Sequence, residues 1–296
     1  MRIGTAEGNS TFFSQGLALK AMLEKFDVLR PVEILESPIA STQNVDRLKT
    51  GDIDFGFLAA NWLGHAKEGF PPFDGPTDLR VVAPMNMGPM FFVALSTSDI
   101  QSVRNLRGKR IAVGPKSGGV AQHALLILGA LDIGPNDFTP VYVDFHAGAN
   151  ALVAGEVDAQ LQRPIPNRIM SELDARADIE VIPYEPRDLE VVIEKSKVYR
   201  TATMRSGALK ALRRDLVQPG VVNLLVSHSR ANRQMVRNIA ATIFNGAEEL
   251  VRLNALFAGL PELFKSLAHD GLAGFEFGGV KLHEGARLAY QELGLI

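Results

Sequence analysis

The 296-residue sequence contains no cysteine and only one tryptophan. Without cysteine there are no disulfides, no thiolate metal sites and no cysteine nucleophile, and the chain suits either redox compartment. Charge of one sign is also missing. Lysine and arginine number 31 against 33 aspartate and glutamate, for a net charge of −2. The basic residues do not cluster, which disfavours non-specific binding to nucleic acid or to an anionic membrane surface. No window approaches the roughly 18 apolar residues that a membrane-spanning helix needs. The six histidines, His65, His123, His146, His228, His269 and His283, show no H-x-x-x-H or similar ligand spacing, and no G-x-S-x-G elbow occurs. No metal or cofactor is expected.

What is present is an ordinary globular composition, 46% hydrophobic and 22% charged, long enough for one large or two medium domains. The opening stretch "RIGTAEGNSTFF" (Arg2 to Phe13) reads as a short strand, a Gly-rich turn and a helix start. Phe12, Leu19, Met22, Leu23 and Phe26 then follow helical spacing. A twin lies in "RIAVGPKSGGVAQHALLILGAL" (Arg110 to Leu131), with Val120, Ala124, Ile127, Leu128 and Leu131 as its apolar face. Neither turn fits G-x-x-x-x-G-K-[ST] or G-x-G-x-x-G, although "GPKSGG" carries Lys116 and Ser117.

A second repeated unit follows each turn. "NVDRLKTGDIDFGFL" from Asn44 and "NALVAGEVDAQLQ" from Asn150 both read as a helix stopped by glycine, Gly51 or Gly155, and then a strand. Two similar α/β lobes are therefore expected. "LRVVAPMNMGPMFFVALS" (Leu79 to Ser96) reads as one strand leaving the first lobe and one entering the second, and "GVVNLLVSHS" (Gly220 to Ser229) as a strand leading back. These crossings, near Met90 and His228, predict a hinge. A long helix from about Ala231 to Leu253 and two further helical stretches, "LPELFKSLA" and "HEGARLAYQEL", follow, and "PFDGPTD" (Pro72 to Asp78) reads as a surface loop.

Ligands in open α/β sheets bind at the carboxyl ends of the strands, and helix N-termini favour anions. Each Gly-rich turn taken alone reads as a plain helix cap, and so does Ser117. The repeated pair points to a cleft for a small anion. Asn61 and Trp62 follow the strand "DFGFLAA"; Trp62 is either a core or surface aromatic or a wall of the cleft. Gln160, Gln162 and Arg163 occupy the matching strand end of the second lobe, where Arg163 is either a carboxylate clamp or half of a surface ion pair. Glu7, inside the first turn, opposes an anion; it caps the helix, faces solvent or meets a ligand ammonium.

On "IGTAEGNSTFFSQGLALKAML", "STQNVDRLKTGDIDFGF", "LRGKRIAVGPKSGGVAQHALLILGAL", "ALVAGEVDAQL" and "LHEGARLAYQELG", in that order over nearly the whole chain, the sequence resembles the TAXI-type solute receptors of TRAP transporters. The resemblance implies an α/β fold of the type II periplasmic-binding-protein kind, with two lobes, each a mixed sheet flanked by helices, joined by two crossing hinge segments. The expected division is residues 1–90 for the first lobe, 91–228 for the second and 229–296 returning to the first. It departs from the family pattern at Ala6-Glu7, in a turn that is usually richer in glycine, and in the polar strand end "LQRPIPN".

The function implied is capture of a small carboxylate, an organic acid or glutamate-like amino acid, for delivery to TRAP-type permease subunits, without catalysis, nucleic acid or membrane insertion. Gly4, Thr5, Asn9, Ser10 and Thr11 would supply first-lobe donors, Thr42 and Asn44 polar contacts, and Asn61 and Trp62 a wall. From the second lobe Ser117, Gly118 and Gly119 would hold the solute, with Gln162 and Arg163 beside them. The location implied is periplasmic or extracytoplasmic. Met1 abuts the first strand, so the expectation is a trimmed mature form or, alternatively, a cytosolic protein. Two other readings stay open. One is an enzyme on the same fold, of a decarboxylase or cofactor-biosynthesis type, with Glu7, His123 or His146 as acid–base groups. The other is an effector-sensing domain, which would need an attached output domain.

Overall fold

Ile3 is buried between Arg2 and Gly4, and around it the chain forms the first strand, β1 (Arg2–Gly4). In the computed structural model, which describes residues 1–8, 10–26, 31–116, 119–162, 164–165 and 167–296, the chain packs as two compact units. The first is Met1–Met87 with Val222–Ile296, the second Gly88–Val221. The divisions fall a few residues before those expected at 90/91 and 228/229.

In the first unit β1 is followed by α1 (Thr11–Lys25), β2 (Glu33–Leu35), α2 (Ser41–Thr50), β3 (Phe55–Ala59), α3 (Asn61–Glu68) and β4 (Leu79–Pro89). β1 lies between β2 and β3, parallel to both, with Ile3 opposite Ile34 and Phe55. Phe12, Leu19, Met22 and Leu23 bury the inner face of α1 as their spacing predicts. Phe26 departs from that expectation: it is the residue closing the helix and is 51% exposed. Gly16 sits where α1 crosses β1. A Cβ there would come within 2.6 Å of the Thr5 methyl group, so the close approach of helix and strand requires glycine.

The second unit repeats this plan. β5 (Phe91–Leu95), β6 (Arg110–Ala112), α4 (Gly119–Ala130), β7 (Thr139–Val141), α5 (Phe145–Val153), β8 (Ala159–Gln162), α6 (Arg168–Arg176), β9 (Ile179–Val181), α7 (Pro186–Ser196) and β10 (Tyr199–Met204) lead to β11 (Leu216–His228). β6 lies between β7 and β8, parallel to both, with Ile111 opposite Pro140 and Ala159. β5 pairs antiparallel with both β8 and β9. β11 is longer than its apolar run suggested. Its first half pairs with β10 inside the second unit, and Asn223–Val226 pair antiparallel with β3 inside the first.

The repeated "GDID" and "GEVD" stretches now have a physical reason. In the first unit the Arg2 N–H donates to Asp54 Oδ2 at 2.7 Å, its guanidinium donates to the Gly51 carbonyl at 2.8 Å, and the Asp54 N–H returns to Arg2 O at 2.9 Å. In the second, Arg110, Asp158 and Gly155 make the same three bonds at 2.7, 2.8 and 2.8 Å. Gly51 closes α2 in the left-handed conformation (φ 85°), which favours glycine, and Gly155 (φ 70°) holds the corresponding place after α5. Each clamp fixes the entry of one parallel strand against its neighbour.

The returning segment holds α8 (Arg233–Asn245), α9 (Ala247–Leu253), α10 (Leu260–His269) and α11 (Glu284–Glu292). The single helix expected from Ala231 to Leu253 is in fact two. A Cβ at Gly246 would lie 2.8 Å from the Thr242 carbonyl and 2.5 Å from Met22 Sδ, and the helix breaks there. Phe264, Phe275 and Tyr290 pack ring to ring in this part of the core, and the Tyr290 hydroxyl donates to the Val82 carbonyl of β4 at 2.8 Å.

Candidate functional site

In the first unit the residue after β1, Thr5, is completely buried. Its N–H and hydroxyl both donate to the Leu35 carbonyl, at 2.9 and 3.2 Å. The chain then turns through exposed Glu7 and Gly8 into α1. Ser10 caps the helix: its hydroxyl oxygen accepts from the Phe13 N–H at 3.2 Å, and its own N–H donates to the Glu7 carbonyl at 2.8 Å. The N–H groups of Thr11 and Phe12 have no partner among the described residues, and no acidic side chain occupies the first helical turn. Two open donors therefore stand at the positive end of α1. The Glu36 carboxylate lies 3.3 Å from where a Gly8 Cβ would be, so the turn also carries negative charge, from Glu36 and Glu7.

Several residues singled out from the sequence are held by internal bonds. Asn44 is fully buried; its Nδ2 donates to the carbonyls of Thr5 (2.8 Å) and Phe57 (3.0 Å), and its Oδ1 accepts from Ser37 Oγ at 2.6 Å. Gly4 leaves room for that amide, since a Cβ there would lie within van der Waals distance of both Asn44 and Ile53. Thr42 donates to the Ile39 carbonyl at 3.1 Å. These contacts brace the carboxyl end of β1 and the middle of β3. Asn61 begins α3 and is buried, whereas Trp62 packs edge-on against Phe73 and His65, 6.0 and 6.1 Å between ring centres.

Sequence reading passed over a cluster that the fold assembles at the end of β3. Gln15 of α1, Asn86 of β4 and Asn223 of β11 meet through Asn86 Oδ1, which accepts from Gln15 Nε2 at 3.1 Å and Asn223 Nδ2 at 3.2 Å. Asn223 stands opposite Ala59, the last residue of β3. Gln15 is fully buried and its Oε1 has no hydrogen-bond partner. The only local signals were a glutamine on the apolar face of a helix and an asparagine inside each of two apolar strands.

In the second unit α4 starts at Gly119, after the loop that follows β6. Asn9, Ser117, Gly118 and Arg163, all named from the sequence, lie outside the described residues. Gln162 is fully buried at the end of β8. Its Nε2 donates to Gln160 Oε1 at 2.9 Å, Gln160 Nε2 donates to the Phe145 carbonyl at 2.9 Å, and Gln162 Oε1 has no partner among the described residues.

The acid–base candidates sit in unlike surroundings. His123 Nδ1 is 2.6 Å from the Tyr199 hydroxyl inside the second unit, and burial pushes its pKa down to about 4, so it is neutral at pH 7. Burial and the neighbouring Tyr184 push the Tyr199 hydroxyl well above its ordinary value. His146 lies on α5, where its Nδ1 is 3.3 Å from Asn150 Nδ2. Among the described residues no three His, Asp or Glu side chains are grouped as a metal site would need, and no helix is long and apolar enough to cross a membrane.

The profile of the NMT1-like family matches residues 3–294. The chain belongs to that family. Solved structures give this NMT1-like chain its fold. The periplasmic aliphatic sulphonate binding protein SsuA from Escherichia coli superposes with a TM-score of 0.51 at 19% identity, over 99% of this chain and 82% of that one. A putative periplasmic sulfonate-binding protein SsuA from Methylobacillus flagellatus gives 0.55 at 15% identity, over 100% and 94%. A TctC solute binding protein from Polaromonas gives 0.54 at 12%, over 88% and 86%. The two-lobed fold, with mixed sheets flanked by helices, is that of the periplasmic binding proteins.

Proposed function

We propose that this NMT1-like chain is a periplasmic solute-binding protein of the TAXI type. It captures a small carboxylate and delivers it to TRAP-type permease subunits, without catalysis. The observation that carries the reading is the duplicated strand–turn–helix unit: in each lobe a helix starts just beyond the carboxyl end of the central parallel strand. In the first lobe that helix keeps two N–H donors open. The names of the solved structures support the reading: two are sulfonate binders, which favours a small oxyanion, and the third is a solute binder. Ser10 and Thr11 at the start of α1, Asn61, and Gly119 at the start of α4 make up the described part of the proposed site. Gln162, also described, and Asn9, Ser117, Gly118 and Arg163, outside the described residues, complete the proposal. Thr5, Asn44 and Thr42, by their internal bonds, have a bracing role in it.

The enzyme reading draws no support from its three candidates. His123 is sealed against Tyr199, and His146 and Glu7 stand on different units from one another. Thermal-shift screening of carboxylates, the matching sulfonates, neutral sugars and polyamines tests the proposal. Carboxylates are expected to raise the unfolding midpoint, and sugars and polyamines to leave it unmoved. Stabilisation by sulfonates alone would replace the carboxylate with a sulfonate, and stabilisation by a sugar with the acids inert would end the oxyanion reading.

A further inference from the structure

The Gln15–Asn86–Asn223 cluster is built from three neutral amides, and its hydrogen bonds leave both a donor and an acceptor available. Asn86 Oδ1 accepts from two N–H donors, Gln15 Nε2 and Asn223 Nδ2. Turning over the Asn86 amide alone would set N–H against N–H twice, and turning over all three together again leaves one donor and one acceptor free on Asn86 and Asn223. As bonded here, Asn86 Nδ2, with two hydrogens, and Asn223 Oδ1 are left without partners among the described residues, and both side chains are only half-buried. Gln15, beneath them, is fully buried, and its oxygen also lacks a partner. A donor and an acceptor are thus presented together at the carboxyl end of β3, where ligands of open α/β sheets bind.

We infer that this cluster is a recognition subsite for an uncharged group that both gives and takes hydrogen bonds, a hydroxyl or a carboxamide, at the end of the solute remote from its carboxylate. The inference rests on the receptor reading above and narrows it: the solute is a mono-anion with a neutral polar end. Asn86 and Asn223 read that group, and Gln15 is a positioning residue that holds the Asn86 amide in register. A second carboxylate is disfavoured here. No cation stands in the cluster to offset its desolvation, and the exposed acids Glu7 and Glu36, on the connections that leave β1 and β2, add negative charge to this lobe. A purely apolar end would leave the amide groups facing it unpaired.

Calorimetric titration with four acids of equal chain length separates the possibilities: pentanoate, glutarate, 5-hydroxypentanoate and glutaramate, followed by their four-carbon counterparts. The hydroxy acid or the amide acid is expected to bind at least about tenfold more tightly than both pentanoate and glutarate. In Asn223→Leu, and in Gln15→Met, that preference should shrink to within about threefold, through weaker binding of the hydroxy acid or the amide acid. Asn223 is half-buried, so its variant carries the test should Gln15→Met fail to fold. Glutarate or pentanoate binding best, or the preference surviving both substitutions, overturns the subsite and leaves the receptor standing. If no carboxylic acid of either length binds, the carboxylate reading falls and the subsite with it.

Discussion

Asn44 shows how one polar side chain can hold a lobe together. Its amide joins the residue after β1 to the middle of β3 through the Thr5 and Phe57 carbonyls. Replacing it with alanine leaves two buried carbonyls and the Ser37 hydroxyl without that partner, and the expected loss is about 2–4 kcal/mol of unfolding free energy in denaturant titration. A loss below about 0.5 kcal/mol would mean that the amide is not structural. His123 sets a pH dependence. Above pH 6.5 it is neutral in both states. Between 6.5 and about 4 only the unfolded chain takes up the proton, so stability falls as pH falls, by about 3 kcal/mol in all for this residue. His228 and His283, held below their ordinary values chiefly by burial, act in the same direction. Unfolding free energies measured from pH 7 to pH 4 should decline, and less steeply in His123→Leu. An equal slope in that variant would contradict a buried neutral histidine.

At the scale of elements, the strongest constraint is the seating of α1 on β1. Gly16→Ala improves helix propensity yet sets a Cβ 2.6 Å from the Thr5 methyl. A net destabilisation of about 1–3 kcal/mol is expected, and a net stabilisation in denaturant unfolding would show that the helix is free to move away. The elements legible beforehand were those with a strong period or a repeat: β1, α1, α2, β3 and their counterparts β6, α4, α5 and β8. Local spacing carried them, because glycine stops and apolar faces are short-range signals. Gly246 escaped notice because part of what crowds it is a distant side chain, Met22. The same limit hid the amide cluster. Gln15, Asn86 and Asn223 are far apart in sequence, and the pairing of β4 with β11 and the position of α1 make them neighbours. Asn44 was expected to contact the solute; its bonds turn inward, to Thr5, Phe57 and Ser37, which no pattern along the chain reveals.

For the whole molecule, the duplicated plan accounts for the fold. Two lobes repeat β2-β1-β3 and β7-β6-β8 with the same parallel register and the same arginine–aspartate clamp, and β4 and β11 carry the chain across the division. The proposed site draws on one helix start from each repeat. Backbone N–H groups bonded to a carboxylate contribute about 1.5–3 kcal/mol each, and a micromolar complex needs about 8 kcal/mol in total, so a handful of such contacts suffices. The central claim, reversible capture of a small carboxylate without chemistry, is tested most directly by isothermal titration calorimetry with the best acid from the thermal-shift panel, followed by recovery of that acid from the cell. The account predicts one site per chain, micromolar or tighter affinity, and the acid returned unchanged. An acid consumed during the titration, or a neutral sugar bound tightly while every acid stays inert, would contradict it.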